Sequence, residues 1–443
     1  MNSITLIEGK PWKSIVIFAL PIFLGSLLQQ FYNTVDTMMV GIFVDQSSLS
    51  AVGTCAVLTN LCIAFSVGFS SGASIVSARF FGGKKYKEIT KNAYASFVIF
   101  IGLGVLISLL SFVFADVLLK KFILVPNSII DLSRQYFQIC AAGFLFQFIY
   151  NGVAALLRSI GDSKASLYFL LLSTIINIIL DYLFVAIIPF GVAGVAWSTV
   201  IAQVMVCIVS FIYMYRKYEM FQFFGKNIRI RKNDLLEIIR TGLPIAAQSM
   251  VGTIFNVLIQ RLVNSFGEAM IASYTVVSRV ECYIGLPTDA FNQTIATYTA
   301  QNVGANKIDR ISKGLHQTLF MGCMITLIFS ILSFAFVDEI ALFFGIQGKA
   351  VVYCHYHLRI LAFPLLLFSL YFPCTGMYQG MGKGMVSTAL STGFLSICLL
   401  IAYTLSTIPS ISMKALWICK PITWCIIVPI NFIYYFKGNW KKV

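Results

Sequence analysis

Apolar residues run through this chain in twelve long blocks: 14–43, 50–80, 92–115, 132–157, 164–187, 192–215, 235–265, 270–303, 314–337, 351–380, 385–408 and 412–436. Charged residues, Gly or Pro separate them. A helix rises about 1.5 Å per residue, so roughly 20 apolar residues cross the hydrocarbon core of a bilayer. Each block is long enough. The pattern therefore predicts an all-α polytopic membrane protein with twelve transmembrane helices. Composition agrees: 58% of residues are hydrophobic, 11% are charged, and the mean hydropathy is +0.86. A soluble domain carries about 25% charged residues.

The placement of charge adds orientation. Lys and Arg crowd alternate connections: Arg79, Lys84, Lys85, Lys87 and Lys91; Arg216, Lys217, Lys226, Arg229, Arg231, Lys232 and Arg240; Lys307, Arg310 and Lys313; Lys437, Lys441 and Lys442. The opposite connections hold few. Positive loops stay on the cytoplasmic side, so both termini are expected there, in a bacterial cytoplasmic membrane. The net charge of +15 indicates no nucleic-acid partner, because the basic residues lie between apolar blocks. No cleavable signal peptide is evident. The eleven cysteines are scattered without C-x-x-C or His/Cys ligand spacing and read as small packing residues. His355 and His357 are two apart and face different sides of a helix, so no metal centre and no cofactor are expected.

The chain repeats itself. Leu20-Pro21 recurs as Leu243-Pro244, and Asn33 as Asn256. Ala78, Gly82, Lys85 and Ile89 recur as Ala300, Gly304, Lys307 and Ile311, and Phe114-Ala115-Asp116 as Phe336-Val337-Asp338. Two six-helix lobes follow, 1–215 and 235–443, joined by a cytoplasmic linker at 216–234. An even number of spans per lobe relates them by a pseudo-twofold axis along the membrane normal, a build found in transporters that alternate access between halves.

Acids inside the apolar blocks carry the candidate chemistry. A charge near the bilayer centre costs on the order of 2.5–3.5 kcal/mol, so it faces a cavity or a partner. In the first block, Gln29, Asn33 and Asp36 share one helix face, downstream of Pro21, which removes a backbone donor and can kink the helix. In the fifth, Thr174, Asn177 and Asp181 line one face; in the sixth, Thr199 and Gln203 do. Carboxylate, amide and hydroxyl oxygens are hard donors that suit Na+, and the carboxylates alone suit a proton. The second half differs. Ile259 stands where Asp36 would recur. The seventh block keeps the polar stripe Asn256, Gln260 and Asn264, and the eighth has Glu281 and Asp289 around Pro287. Glu281 either binds a cationic substrate or pairs with Arg261 or Arg279. Tyr32 and other aromatics in polar stripes attract organic cations by roughly 0.5–2 kcal/mol each. The small-xxx-small patterns Gly68–Gly72 and Gly376–Gly380 read as close helix packing.

These residues carry a resemblance. Leu20-Pro21, Gln29-Gln30 and Asn33-Thr-Val-Asp36-Thr-Met-Met-Val-Gly41 lead it. Ala78-Arg79-Phe80-Phe81-Gly82, Asn177-xxx-Asp181, Gly191-Val-Ala-Gly194-Val-Ala-Trp-Ser-Thr199 and Ala300-Gln301-Asn302-Val303-Gly304-Ala305 follow. The ordered set resembles the multidrug and toxic compound extrusion (MATE) transporters, in the bacterial branch with a first-helix Asp, across essentially the whole chain. The resemblance implies a V-shaped pair of six-helix lobes, cation-driven efflux of amphipathic and often cationic compounds, and a monomer. It places Asp36, Asn177, Asp181 and Thr199 at the N-lobe cation site for H+ or Na+, makes Pro21 the bending point, and puts Gln29, Tyr32 and Asn151 at the substrate cavity. Asn33, Gln203, Asn256 and Glu281 complete the candidate substrate set. Another branch has carboxylates in its seventh and tenth spans; here the tenth has none, and the seventh has only Glu237, near its start.

The expected function is a secondary active multidrug antiporter, not an enzyme. A lipid-linked precursor flippase of related design is the alternative; it would need basic residues lining its cavity, chiefly Arg261, Arg279 and Arg359. A membrane-embedded transferase would need Asp-rich metal motifs or a nucleophile–His pair, and neither occurs.

Overall fold

The structure is a computed structural model. It describes residues 5–438 and 440, apart from Pro189, Phe224 and Asn227 and the side chains of Thr37 and Gln46. Lys441 and Lys442 lie outside the described residues. The chain is all-helical among the described residues. Its helices are α1 (Pro11–Phe43), α2 (Gln46–Gly82), α3 (Tyr86–Val113), α4 (Ile130–Ser159), α5 (Ser163–Asp181), α6 (Gly191–Lys217), α7 (Lys232–Asn264), α8 (Glu268–Gly304), α9 (Ile308–Ala335), α10 (Lys349–Ala362), α11 (Leu365–Gly380), α12 (Gly384–Ser406) and α13 (Ala415–Lys437), with short helical turns between some of them.

Among the described residues, ten helical stretches are long and apolar enough to cross a membrane, or eleven where α10 and α11, bent by 54° at a short break, count as one span. Pro364 directly precedes α11, and it and Phe363 keep helical backbone angles; the missing N–H of Pro364 removes a helix hydrogen bond at the bend. The twelfth expected span, 270–303, forms α8, 37 residues long. Its Arg279, Glu281, Asp289 and many amides and hydroxyls leave it less apolar than the others. The chain is a multi-pass membrane protein.

The repeat is visible in the backbone. α1, α2 and α3 have 33, 37 and 28 residues, and so do α7, α8 and α9. The turn after α2 places Lys84 at φ 56°, and the turn after α8 places Asn306 at φ 60°. Left-handed backbone is uncommon outside glycine, so the matched pair marks one turn used twice. Small residues let helices touch backbone to backbone, as the sequence pattern predicted. A Cβ on Gly68 or Gly72 would come within 2.3 Å of Ala246 or Gly242 of α7, and one on Gly376 or Gly380 within 2.3 or 2.4 Å of α8 carbonyl oxygens.

Two compact units emerge. One includes Leu20–Met250; the other holds Leu6–Ala19 and the chain from Val251 onward. Helix α1 thus begins in one unit and continues in the other, the change falling beside Pro21, although α1 runs through that proline as a single helix. In the first unit, Cys55 and Leu58 of α2, Phe137, Cys140, Ala141 and Phe144 of α4, and Val195 and Ala196 of α6 form one buried cluster with Val40 of α1. That apolar packing fixes three of the helices that carry the polar residues described next.

Candidate functional site

Three helices of the first unit bring the intramembrane acids together. Asp36 comes from α1, Asn177 and Asp181 from α5, and Ser198 and Thr199 from α6. Residues four apart share a helix face, so Asn177 and Asp181 point the same way; both are buried, at 1% and 0% exposure. Helix α5 passes into a wider π-helical turn, Tyr182–Ile187, immediately after Asp181. Such turns recur at functional sites because they re-aim the side chains beside them.

The Asp36 and Asp181 carboxyls lie within hydrogen-bonding reach of each other. Ser198 Oγ donates to Asp181 Oδ1. Asn177 Nδ2 donates to Thr199 Oγ1 at 3.4 Å. Thr199 spends its own proton on the Val195 carbonyl at 3.1 Å, so Tyr32 is the donor in its 3.5 Å contact with Thr199. Asp36 Oδ1, Asn177 Oδ1 and Asp181 Oδ2 are each buried with no hydrogen-bond partner among the described residues. Neither acid has a basic partner among the described ion pairs. A buried acceptor without a donor costs about 1–3 kcal/mol, and three gathered in one place form an acceptor set open to a cation. Among the described residues, no group of three or more His, Cys, Asp or Glu side chains is placed to hold a metal ion. A cation here would therefore lean on the amide and hydroxyl oxygens as much as on the two carboxylates.

The chain matches the MatE family model over residues 21–183 and 244–408, two segments that open on the repeat-related prolines Pro21 and Pro244. The chain belongs to the MatE family. It is 25% identical over 450 residues to the "Probable multidrug resistance protein YoeA" of Bacillus subtilis (strain 168), covering 99% of this chain and 96% of that protein. It is 23% identical over 403 residues to the "Multidrug export protein MepA" of Staphylococcus haemolyticus (strain JCSC1435), covering 90% and 88%. Its fold matches a multidrug resistance MATE family transporter of the MOP superfamily in an outward-facing conformation, with a TM-score of 0.93 at 22% identity over 100% of this chain and 99% of that one. The two-lobe MATE fold expected from the sequence is the fold observed.

Within this MatE chain, the other expected site residues are dispersed. Gln29 donates to Asn33 along the exposed face of α1 at 3.3 Å. Asn151 is engaged between helices: it donates to Ser66 of α2 at 3.0 Å and accepts from Gln147 at 3.1 Å. The Gln203 side chain packs over Gly143 of α4. Thr174, though on the Asn177 face, returns its hydroxyl to the Leu170 carbonyl at 2.9 Å. Asn256 is exposed in the other unit. His357 packs beside Tyr274, whereas His355 reaches Asp338 at 3.8 Å; they do not meet.

Glu281 corrects one expectation. Its partner is neither Arg261 nor Arg279 but Lys420 of α13, whose Nζ donates to both carboxylate oxygens at 2.8 and 2.7 Å. Nothing in the sequence joins positions 139 residues apart; the signal was Lys420 itself, a lysine inside the last apolar block. Ser198 was also missed as a participant. Its signal was present, as the neighbour of Thr199 one position along the same helix. Tyr136 of α4, 8% exposed, packs in the same buried cluster as Val40 of α1 and Cys140 of α4.

Proposed function

We propose that this chain is a secondary active multidrug efflux antiporter, exchanging H+ or Na+ for amphipathic, often cationic organic compounds by alternating access between the repeat lobes 1–215 and 235–443. The observation that carries the reading is the meeting of Asp36 and Asp181 with three unpartnered buried oxygens. Two carboxylates so close repel in a low-dielectric setting unless a proton or cation sits between them. The site therefore has an affinity for positive charge built into its geometry. Ser198 orients Asp181, and Asn177, Thr199 and Tyr32 orient one another around the remaining oxygens. The names of the relatives, multidrug resistance and multidrug export proteins, support the efflux reading.

Coupling needs only that cation and substrate favour opposite states, or compete for one chamber, since a ligand shifts an equilibrium by its differential affinity for the two states. Filling Asp36 with a proton or cation removes an unpaired buried charge from α1 and changes how that helix packs downstream of Pro21. The flippase alternative needs basic residues lining its cavity; Lys420, a basic residue inside a span, is clasped by Glu281 and is not free to join Arg261, Arg279 and Arg359 in such a lining.

The deciding experiment is dye efflux from proteoliposomes under imposed pH or Na+ gradients, with wild type, Asp36→Asn and Asp181→Asn. Gradient-driven efflux by wild type and its loss in both variants supports the scheme. Undiminished driven efflux by Asp36→Asn removes the proposed cation site from it.

A further inference from the structure

The front of the chain is tied down by its backbone. The Leu6 amide donates to Gln301 Oε1 at 3.2 Å, and Asn302 Nδ2 donates to the Leu6 carbonyl at 3.3 Å. Lys307 Nζ donates to the Ile7 carbonyl at 3.0 Å. The Arg310 guanidinium donates to the Glu8 carbonyl at 3.2 Å and the Gly9 carbonyl at 3.0 Å. Four consecutive carbonyls are thus held by side chains from the end of α8 and the start of α9. Asn302 Oδ1 accepts from Arg310 Nε at 3.2 Å, and Tyr298 donates to the Arg310 carbonyl at 2.9 Å, so the clamp is itself braced. Leu6 and Ile7 are buried beneath it, at 0% and 7% exposure.

A short non-helical segment must find partners for its backbone groups, but solvent serves that need equally well. Here three long or amide side chains do it, two of them cationic, which makes the bonds to Lys307 and Arg310 charge-assisted. Nor is the arrangement a by-product of the repeat. At the matching positions of the first half, Gln301, Asn302 and Arg310 become Arg79, Phe80 and Glu88. There the contacts are side-chain ion pairs: Arg79 with Glu237 at 3.8 Å and Lys91 with Asp234 at 2.8 Å. The run Gln301-Asn302, part of the motif that carried the family resemblance, takes no part in the cation site.

The segment leads into α1. Residues Leu6–Ala19 group with the C-terminal unit, whereas Leu20 onward groups with the unit that holds Asp36. We propose that Gln301, Asn302, Lys307 and Arg310 are positioning residues that anchor the front of α1 throughout the transport cycle. With that end fixed, a change of cation occupancy at Asp36 is expressed as bending near Leu20–Pro21, where a backbone donor is missing. With that end free, the same change lets the whole helix slide, and the coupling is lost. The proposal rests on the reading of Asp36 as the coupling acid.

The test uses the full chain in dye-loaded proteoliposomes, with the exposed Cys282 and Cys425 changed to Ser. Arg310→Gln combined with Asn302→Leu is expected to lower gradient-driven efflux roughly tenfold while equilibrium dye binding stays unchanged. A second variant, Glu8→Cys with Lys307→Cys, is bridged by a short bis-methanethiosulfonate. Bridged, it transports at the wild-type rate, and the same bridge restores efflux to Arg310→Gln. A bridged protein that stops transporting overturns the proposal, because the segment would then have to release; so does full efflux by the unclamped variant. If Arg310→Gln does not fold, the bridged variant decides alone. Asp36→Asn, run alongside, separates the two ideas: driven efflux that survives it overturns the coupling reading, while the bridge still reports whether the anchor is needed.

Discussion

The two halves of this protein share helix lengths, turns and prolines, yet they treat Asp36 with Asp181 and Glu281 in opposite ways; Asp289, the other acid of α8, accepts from Gln293 at 3.0 Å. In the first half, Asp36 and Asp181 meet with no basic partner among the described ion pairs, beside hydroxyls and amides. In the second, Ile259 stands at the position of Asp36, buried at 2% exposure, and Glu281 is neutralised by Lys420. A neutralised acid has little left to offer a cation. An un-neutralised pair lowers its energy by taking one up. The duplicated scaffold is thus electrostatically asymmetric between these two sites, and the proposed ion uptake rests on the un-neutralised pair of the first half.

That contrast can be broken at several points. The largest effect is expected from Asp36→Asn, which should reduce gradient-driven dye efflux to the level of protein-free liposomes while the protein elutes normally on size exclusion. Next is Lys420→Ala, which leaves Glu281 alone and should cost about 3–5 kcal/mol of stability, read as a lower unfolding temperature in detergent. Replacing both partners, Glu281→Gln with Lys420→Met, should restore stability and leave efflux intact. Loss of efflux in that stable double variant would show that the second half also handles charge, and the contrast would fail.

A partnered acid of the first half sharpens the comparison. Asp162, in the turn between α4 and α5, accepts from Tyr218 at 2.6 Å, Tyr213 at 3.0 Å and Lys217 at 3.2 Å. Burial pushes its carboxyl up, but these donors and the Lys217 charge carry it below the usual carboxylate range. A lowered folded-state value means stability that is present above the unfolded carboxylate range and lost as pH falls through the folded one. Asp162→Asn should therefore cost about 1–2 kcal/mol at neutral pH, with wild type and variant converging in acid, as followed by unfolding across a pH series. Its transport coupling should be unchanged. The smallest effect is expected from Ser198→Ala, which removes the donor to Asp181 Oδ1 and should shift the half-saturating ion concentration roughly fivefold without abolishing driven efflux.

Much of this was legible along the chain. The apolar blocks, the doubled Leu-Pro and the Gly-x-x-x-Gly contacts follow from helix periodicity and from the length a bilayer demands, both local properties. The stripes of Asn33 with Asp36 and of Asn177 with Asp181 were also readable, because spacing alone sets which helix face a side chain occupies. What spacing does not set is which faces meet. Thr174 lies on the same stripe as Asn177 yet serves its own helix, and Asn151 proved to be a tie between α4 and α2. Glu281 found Lys420 across 139 residues. The clamp of Gln301, Asn302, Lys307 and Arg310 reads one backbone amide and four carbonyls, which leave no trace in side-chain identity. Helix content and buried faces are properties of neighbours in sequence. The partner of a buried charge depends on which helices pack together, and only the folded chain decides that.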